Sequence, residues 1–171
     1  LESQREKIDI NLDFDKNVYR YYSINKHERQ ALLEEGYEIL RYRLMSSIGF
    51  EKYIVKPRFN ESVIHFFTIY DIQTFLKSRE IKTMVFMTKK PDLVFYVNGK
   101  SYAIEVETGT VLKRSKRQVL EKCKVMKRDY NFGFIVVPSR RMVRKYRKIV
   151  PVVDMRYLKN KLEKILKKNE Y

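Results

Sequence analysis

Apolar and polar positions follow two different periods along this chain, and the clearest passage runs from Pro91 to Glu107. Two apolar-rich runs, residues 93–97 and 102–106, flank Asn98-Gly99. Asn-Gly in that setting predicts a two-residue hairpin turn, because a type I′ turn needs positive φ at both central positions. With Asn98 and Gly99 as the loop, Val97 pairs with Lys100, Tyr96 with Ser101, Val94 with Ala103 and Asp92 with Glu105. Strand alternation then puts Glu107 on the face of Asp92 and Glu105, and Leu93, Phe95, Val97, Tyr102, Ile104 and Val106 on the other.

The helical period appears elsewhere. Asn25 followed by Glu28 makes a capping box, and Leu33, Tyr37, Leu40, Leu44 and Ile48 recur on one face up to Gly49, which predicts a single helix over residues 26–48. Residues 62–70 are rich in β-branched and aromatic side chains and read as a strand. A short helix over 71–77 and a strand over 81–87 follow. After the hairpin, Leu112, Val119, Leu120, Cys123 and Met126 mark a helix over 112–130. Residues 132–138 form a continuous apolar run, as in a buried strand. A basic helix over 139–149, a short edge strand over 150–153 and an amphipathic helix over 155–170 complete the chain. Leu158, Leu162, Ile165 and Leu166 line the inner face of that last helix. No repeat, low-complexity tract or Gly/Ser linker divides the sequence. The expectation is one α/β domain over 25–171, a central mixed sheet flanked by helices, behind an N-terminal arm over 1–24. Tyr19, Tyr21 and Tyr22 would pack that arm on the core or stack on bases.

Composition adds limits. The chain has 171 residues, 44% hydrophobic and 13% aromatic, enough for a sizeable core. It contains no apolar run of about 18 residues, so no membrane-spanning helix is expected. The start, Leu1 to Lys7, is charged and does not read as a signal peptide; Leu1 in place of Met points to an excised domain or a cleaved tag. Cys123 is the sole cysteine, which suits a reducing, cytoplasmic compartment and a core-packing role. The net charge of +16 is unevenly spread: residues 111–150 hold 14 Lys/Arg against Glu121 and Asp129, a net of +12. Such a stripe is the footprint of a phosphate-backbone binder, so DNA is the expected partner and a membrane is not.

That charge sits beside the acidic hairpin. Three carboxylates on one short face repel one another unless a cation sits among them, and Mg²⁺ or Mn²⁺ fits because it takes carboxylate oxygens and keeps waters for a phosphate to displace. Pro91-Asp92, a spacer and Glu105-Val106-Glu107 resemble the motif of the PD-(D/E)XK nuclease superfamily. The order of elements over 25–152 is most similar to its Holliday-junction-resolvase-like and mobile-element branches. The resemblance implies a restriction-endonuclease-like core and a metal-dependent DNA endonuclease in which Asp92 and Glu105 hold the ion. Glu107 stands where the superfamily usually has Lys, and would bind a second ion or orient the attacking water. Gln118 or Lys122 on the next helix would then supply the missing positive or polar group. A further acid from the first helix would be Glu34 or Glu38. Lys113, Arg114, Lys116, Arg117, Arg140, Arg141 and Arg144 would grip phosphates, and a homodimer would cut both strands symmetrically. Two alternatives stand beside this reading: a nuclease-like chain that binds DNA without cutting it, and an unrelated basic nucleic-acid-binding module.

Other chemistries lack their residues. His27 and His65 with one cysteine cannot build a Cys/His zinc site, and neither a G-x-S-x-G elbow nor a P-loop is present. Abundant Lys, Glu, Ile and Tyr point to a thermophile or an AT-rich genome, and a virus, plasmid or integrated mobile element of such an organism would suit a small nuclease.

Overall fold

The computed structural model describes residues 11–86, 90–108 and 116–167, with Lys116 described by its backbone only. The architecture is α/β, as expected, with a mixed five-stranded sheet flanked by helices. The chain divides into two compact units, Leu1–Phe67 and Thr68–Tyr171.

The first unit is a three-stranded antiparallel sheet with one helix. Strands β1 (Val18–Arg20), β2 (Glu38–Tyr42) and β3 (Glu51–Val55) run in the order β1-β3-β2. Residues 18–20, expected in an arm, are therefore a strand of this sheet. Helix α1 (Lys26–Glu34) carries the expected capping box: the Glu28 amide donates to Asn25 Oδ1 at 2.9 Å, and the Asn25 amide to Glu28 Oε2 at 2.7 Å. The helix stops much earlier than the apolar spacing predicts. Gly36 adopts φ +84°, its amide donates to Leu33 O, and the Tyr37 amide donates to Leu32 O. That pair of bonds closes the helix with a residue in the left-handed region, where glycine alone is comfortable. Tyr37 and Leu40 then belong to an extended segment and not to a helical stripe. Tyr19, Leu32, Tyr37 and Ile54 form the unit's core, with Tyr21 packed beside it, while Tyr22 is exposed.

Helix α2 (Val63–Lys77) crosses the division between the units and corrects the strand expected over 62–70. Ser62 starts it: its hydroxyl accepts from the His65 amide at 3.3 Å and its carbonyl from the Phe66 amide at 3.0 Å. Phe66, Phe67, Thr68 and Ile69 are consecutive and all buried. A helix buried on most sides needs no polar stripe, so its sequence loses the 3.6-residue pattern and reads like a strand.

The second unit holds the sheet β4-β5-β6-β7-β8. Strands β4 (Thr83–Val85), β5 (Leu93–Val97) and β6 (Lys100–Val106) are antiparallel; β7 (Phe132–Val137) and β8 (Val152–Asp154) continue parallel to β6. The hairpin has the expected register, Val97 opposite Lys100 through Leu93 opposite Ile104, with Asn98 at φ 47° and Gly99 at φ 73°. Helix α3 (Lys116–Asp129) links β6 to β7 and α4 (Arg140–Tyr146) links β7 to β8. Both cover one sheet face, where Val94, Ala103, Ile135 and Val137 meet Val119, Cys123, Met126 and Tyr146. Helix α5 (Met155–Lys167) packs on the other face, with Lys161 Nζ 5.9 Å from the Phe134 ring centre. Among the described residues no helix is long and apolar enough to cross a membrane.

Candidate active site

The hairpin register delivers Asp92 to Glu105. Asp92 lies one residue before β5 and Glu105 one residue before the end of β6, and both are buried. The Asp92 amide donates to Glu105 Oε2 at 3.2 Å, and the Val106 amide donates to Asp92 Oδ2 at 2.8 Å. Each carboxylate is thereby fixed through one oxygen by the backbone of the opposite strand. The other oxygen of each faces a single cation. Lys122 Nζ, from the second turn of α3, lies 3.2 Å from Asp92 Oδ1 and also donates to Glu105 Oε1.

Of the two helix residues expected to supply the missing positive or polar group, Lys122 contacts the two acids. Helix α3 starts at the carboxyl end of β6, so its first turns lie at the edge of the sheet where Glu105 and Glu107 emerge. Gln118 is one turn earlier than Lys122 and exposed, as is Arg117, which bonds Glu121 at 3.3 Å. Arg140 and Arg141 open α4 at the carboxyl end of β7, on that same edge, Arg144 lies in its last turn, and all three are exposed. Lys113 and Arg114 lie outside the described residues, as does the side chain of Lys116.

Glu107 is buried just past β6, where its amide donates to Val136 O at 2.8 Å. Its Oε2 accepts from the Tyr146 hydroxyl at 3.5 Å, so its bond is to a residue of α4. Glu34 and Glu38 belong to the first unit and are exposed; Glu34 accepts from Gln30 at 2.9 Å, and Glu38 begins β2 and is not on a helix. Glu38 is therefore not an acid of the first helix as expected, because Gly36 ends α1 before it. His65 is in α2 and not in a strand, with Nδ1 2.6 Å from Glu61 Oε2.

Electrostatics follow from this packing. Burial raises the pKa of Glu105, and the neighbouring Asp92 adds to the rise; Lys122 opposes both, leaving the carboxyl at about 8. Burial works against the Lys122 ammonium, yet Glu105 and Asp92 hold its pKa above the ordinary value. Burial and then Glu107 push the Tyr146 phenol up, so it remains a donor. Burial also pushes the Cys123 thiol to about 11, in keeping with a packing role.

Whether a metal suits these residues turns on the oxygens that the opposite strand does not hold. Asp92 Oδ1 and Glu105 Oε1 converge on one cation, and Mg²⁺ commonly binds through one or two carboxylates with waters completing the shell. The pair fits that requirement. Among the described residues no three acidic, His or Cys side chains are grouped so as to hold an ion.

Two residues at this edge escape sequence reasoning. Tyr146 looks like an interruption in the basic run 140–148, and only its spacing from Met142 and Val143 marks it as inward-facing. Asp154 is buried at the end of β8, where its Oδ1 accepts from the Arg156 amide at 3.0 Å and its carboxylate pairs with the Arg156 guanidinium at 2.7 Å. An Asp directly before a helical run was the available signal for that cap. Comparison of the chain with protein-family models, with curated proteins and with solved structures finds no match.

Proposed function

We propose that this chain is a metal-dependent DNA endonuclease of the PD-(D/E)XK type that its hairpin resembles. The observation that carries the reading is the fixed, buried pair Asp92 and Glu105, each presenting one oxygen to a shared cation position. Opposed buried carboxylates are a poor structural choice unless a cation is part of their purpose. Asp92 and Glu105 would hold Mg²⁺ or Mn²⁺. Such an ion, when bound, supplies Lewis acidity toward a phosphate and lowers the pKa of a bound water.

The chain's own groups do the rest. Lys122 supplies an ammonium beside the pair, the charge that the superfamily usually carries at the position of Glu107. It would stabilise negative charge growing on the phosphate oxygens. Glu107, which accepts from Tyr146, would take a proton from the attacking water, with Gln118, one turn before Lys122 on α3, a further polar group. Arg117, Arg140, Arg141 and Arg144 would hold the phosphates flanking the cut, adding affinity without sequence choice. A homodimer would place two such sites on the two strands.

The test is incubation of linear, circular and branched DNA with Mg²⁺ or Mn²⁺, comparing wild type with Asp92→Ala. The expected result is cutting by wild type alone, with DNA binding in EDTA retained by both. No cutting by wild type with either ion, with binding intact, would sink the nuclease reading.

A second reading has its own observation. Lys122 already fills the gap between the acids and Tyr146 engages Glu107, an arrangement that also suits a chain which binds DNA without cutting it. In that case neither ion would raise the melting temperature.

A further inference from the structure

The end of the large sheet opposite the carboxylates carries a second feature. Strand β8 begins at Val152, level with Ile135, so Phe132 to Phe134 at the start of β7 have no strand partner on that side. A cleft of about 630 Å³ opens there. It is about 17 Å from the carboxylates, taking five residues of β6 between Lys100 and Glu105 at roughly 3.3 Å each.

Its lining combines flat rings with positive charge. Tyr102 and Phe132 line the cleft, and the buried Phe95 behind them completes a ladder across three strands, with ring centres 5.1 Å apart at both steps and interplanar angles of 13° and 18°. The ladder ends at Phe132, which is 51% exposed. Lys100, Lys127, Lys161 and Lys164 surround the opening, and among the described residues no Asp or Glu lines it. None of the four lysines is ion-paired with another described residue. The rim is pinned: Asn131 Oδ1 accepts from the Ser101 amide at 2.8 Å and from its hydroxyl at 3.0 Å, tying the end of α3 to β6.

An unfinished aromatic stack beside four ammonium groups that form no ion pair among the described residues matches the chemistry of a single strand of nucleic acid. Bases stack on the exposed ring whatever their identity, and lysines take the phosphates on either side. A duplex keeps its bases stacked on one another and offers no free face to Phe132. A purely anionic ligand would have no use for the ladder.

We propose that this cleft binds a single-stranded segment of nucleic acid, with one base continuing the Phe95–Tyr102–Phe132 stack and flanking phosphates held by Lys100, Lys127, Lys161 and Lys164. The site is separate from the carboxylate pair and does not depend on the nuclease reading.

The experiment is fluorescence anisotropy in EDTA with a labelled oligothymidylate of about twelve nucleotides, an abasic strand of equal length and an oligouridylate. Wild type should bind the oligothymidylate about tenfold more tightly than the abasic strand, a ratio set by stacking. Phe132→Ala should abolish that preference. Phe132→Leu, which keeps apolar volume without a flat face, should do the same and serves if the alanine variant is unfolded. Lys161→Gln with Lys164→Gln should weaken both strands alike and leave the ratio standing. Preference for the uridylate over the thymidylate, or the reverse, assigns the strand as RNA or DNA. Equal affinity of wild type for the base-bearing and abasic strands would overturn the proposal, as would a preference that survives in a folded Phe132 variant.

Discussion

Glu105 is the residue whose surroundings differ most from those of an exposed acid. Its carboxyl is buried beside Asp92, and Lys122 restores only part of what burial removes. A folded-state pKa raised to about 8 means that the folded chain binds more protons than the unfolded chain between the ordinary carboxylate range and that value. Stability of the metal-free protein should therefore fall as pH rises across this window. Urea midpoints at pH 5 and pH 8 measure the slope, and Glu105→Gln should flatten it; an unchanged slope in that variant would reassign the titration. Lys122→Met should steepen it, because the one group that lowers the Glu105 pKa in contact with it is gone. The approach of Asp92 to Glu105 was legible from residues alone, since a two-residue turn fixes every later pair in the hairpin. The Lys122 contact was legible only as a short list of helix positions. Which one reaches the acids depends on how α3 lies on the sheet.

At the scale of elements, close approach matters more than propensity. A Cβ added at Gly133 would lie 2.9 Å from Met126 Cβ, so β7 and α3 can meet there only without a side chain. Gly133→Ala should cost about 1–3 kcal/mol in chemical denaturation, the usual range for overpacking. Met126→Ala in the same chain should not relieve it, because the atom encountered is the Cβ itself. The start of α5 gives a second case. The Arg156 side chain, through hydrogen bonding, holds the Asp154 carboxyl below the ordinary range, and the Arg156 amide uses the same carboxylate as its cap. Asp154→Ala should cost about 1 kcal/mol by the same measurement. Its contribution should be present at neutral pH and lost as pH falls through the depressed pKa. The caps of α1 and the hairpin turn were readable because Asn25, Glu28, Asn98 and Gly99 act within a few residues of themselves. Gly36 carried an equally local signal, but the apolar spacing that runs past it favours a longer helix. Helix α2 carried no such signal, since burial on most sides removes the polar stripe.

Across the whole molecule, positive charge is gathered on the helices that start at the carboxyl ends of β6 and β7, and Lys127 of α3 joins Lys100, Lys161 and Lys164 around the cleft at the far end of the sheet. Duplex DNA binding should weaken with salt, each neutralised phosphate contributing about 0.9 to the logarithmic slope. Arg140→Ala, Arg141→Ala and Arg144→Ala together should lower that slope by up to about 3, read by anisotropy between low and physiological salt. A slope unchanged by the triple variant would move the duplex contact elsewhere. The sequence by itself determined the α/β class, the hairpin register with its acids, the closing β7-α4-β8-α5 order and the concentration of basic residues over 111–150. Each of these rests on interactions between near neighbours or on composition. Only the tertiary structure decided that residues 18–20 are a strand and that α2 is a helix. It alone decided that Lys122 bridges Asp92 and Glu105, that Tyr146 takes Glu107, and that β8 starts late enough to leave Phe132 open. Those features depend on which buried surfaces meet across long stretches of chain, and packing of that kind leaves no periodic trace in the order of residues.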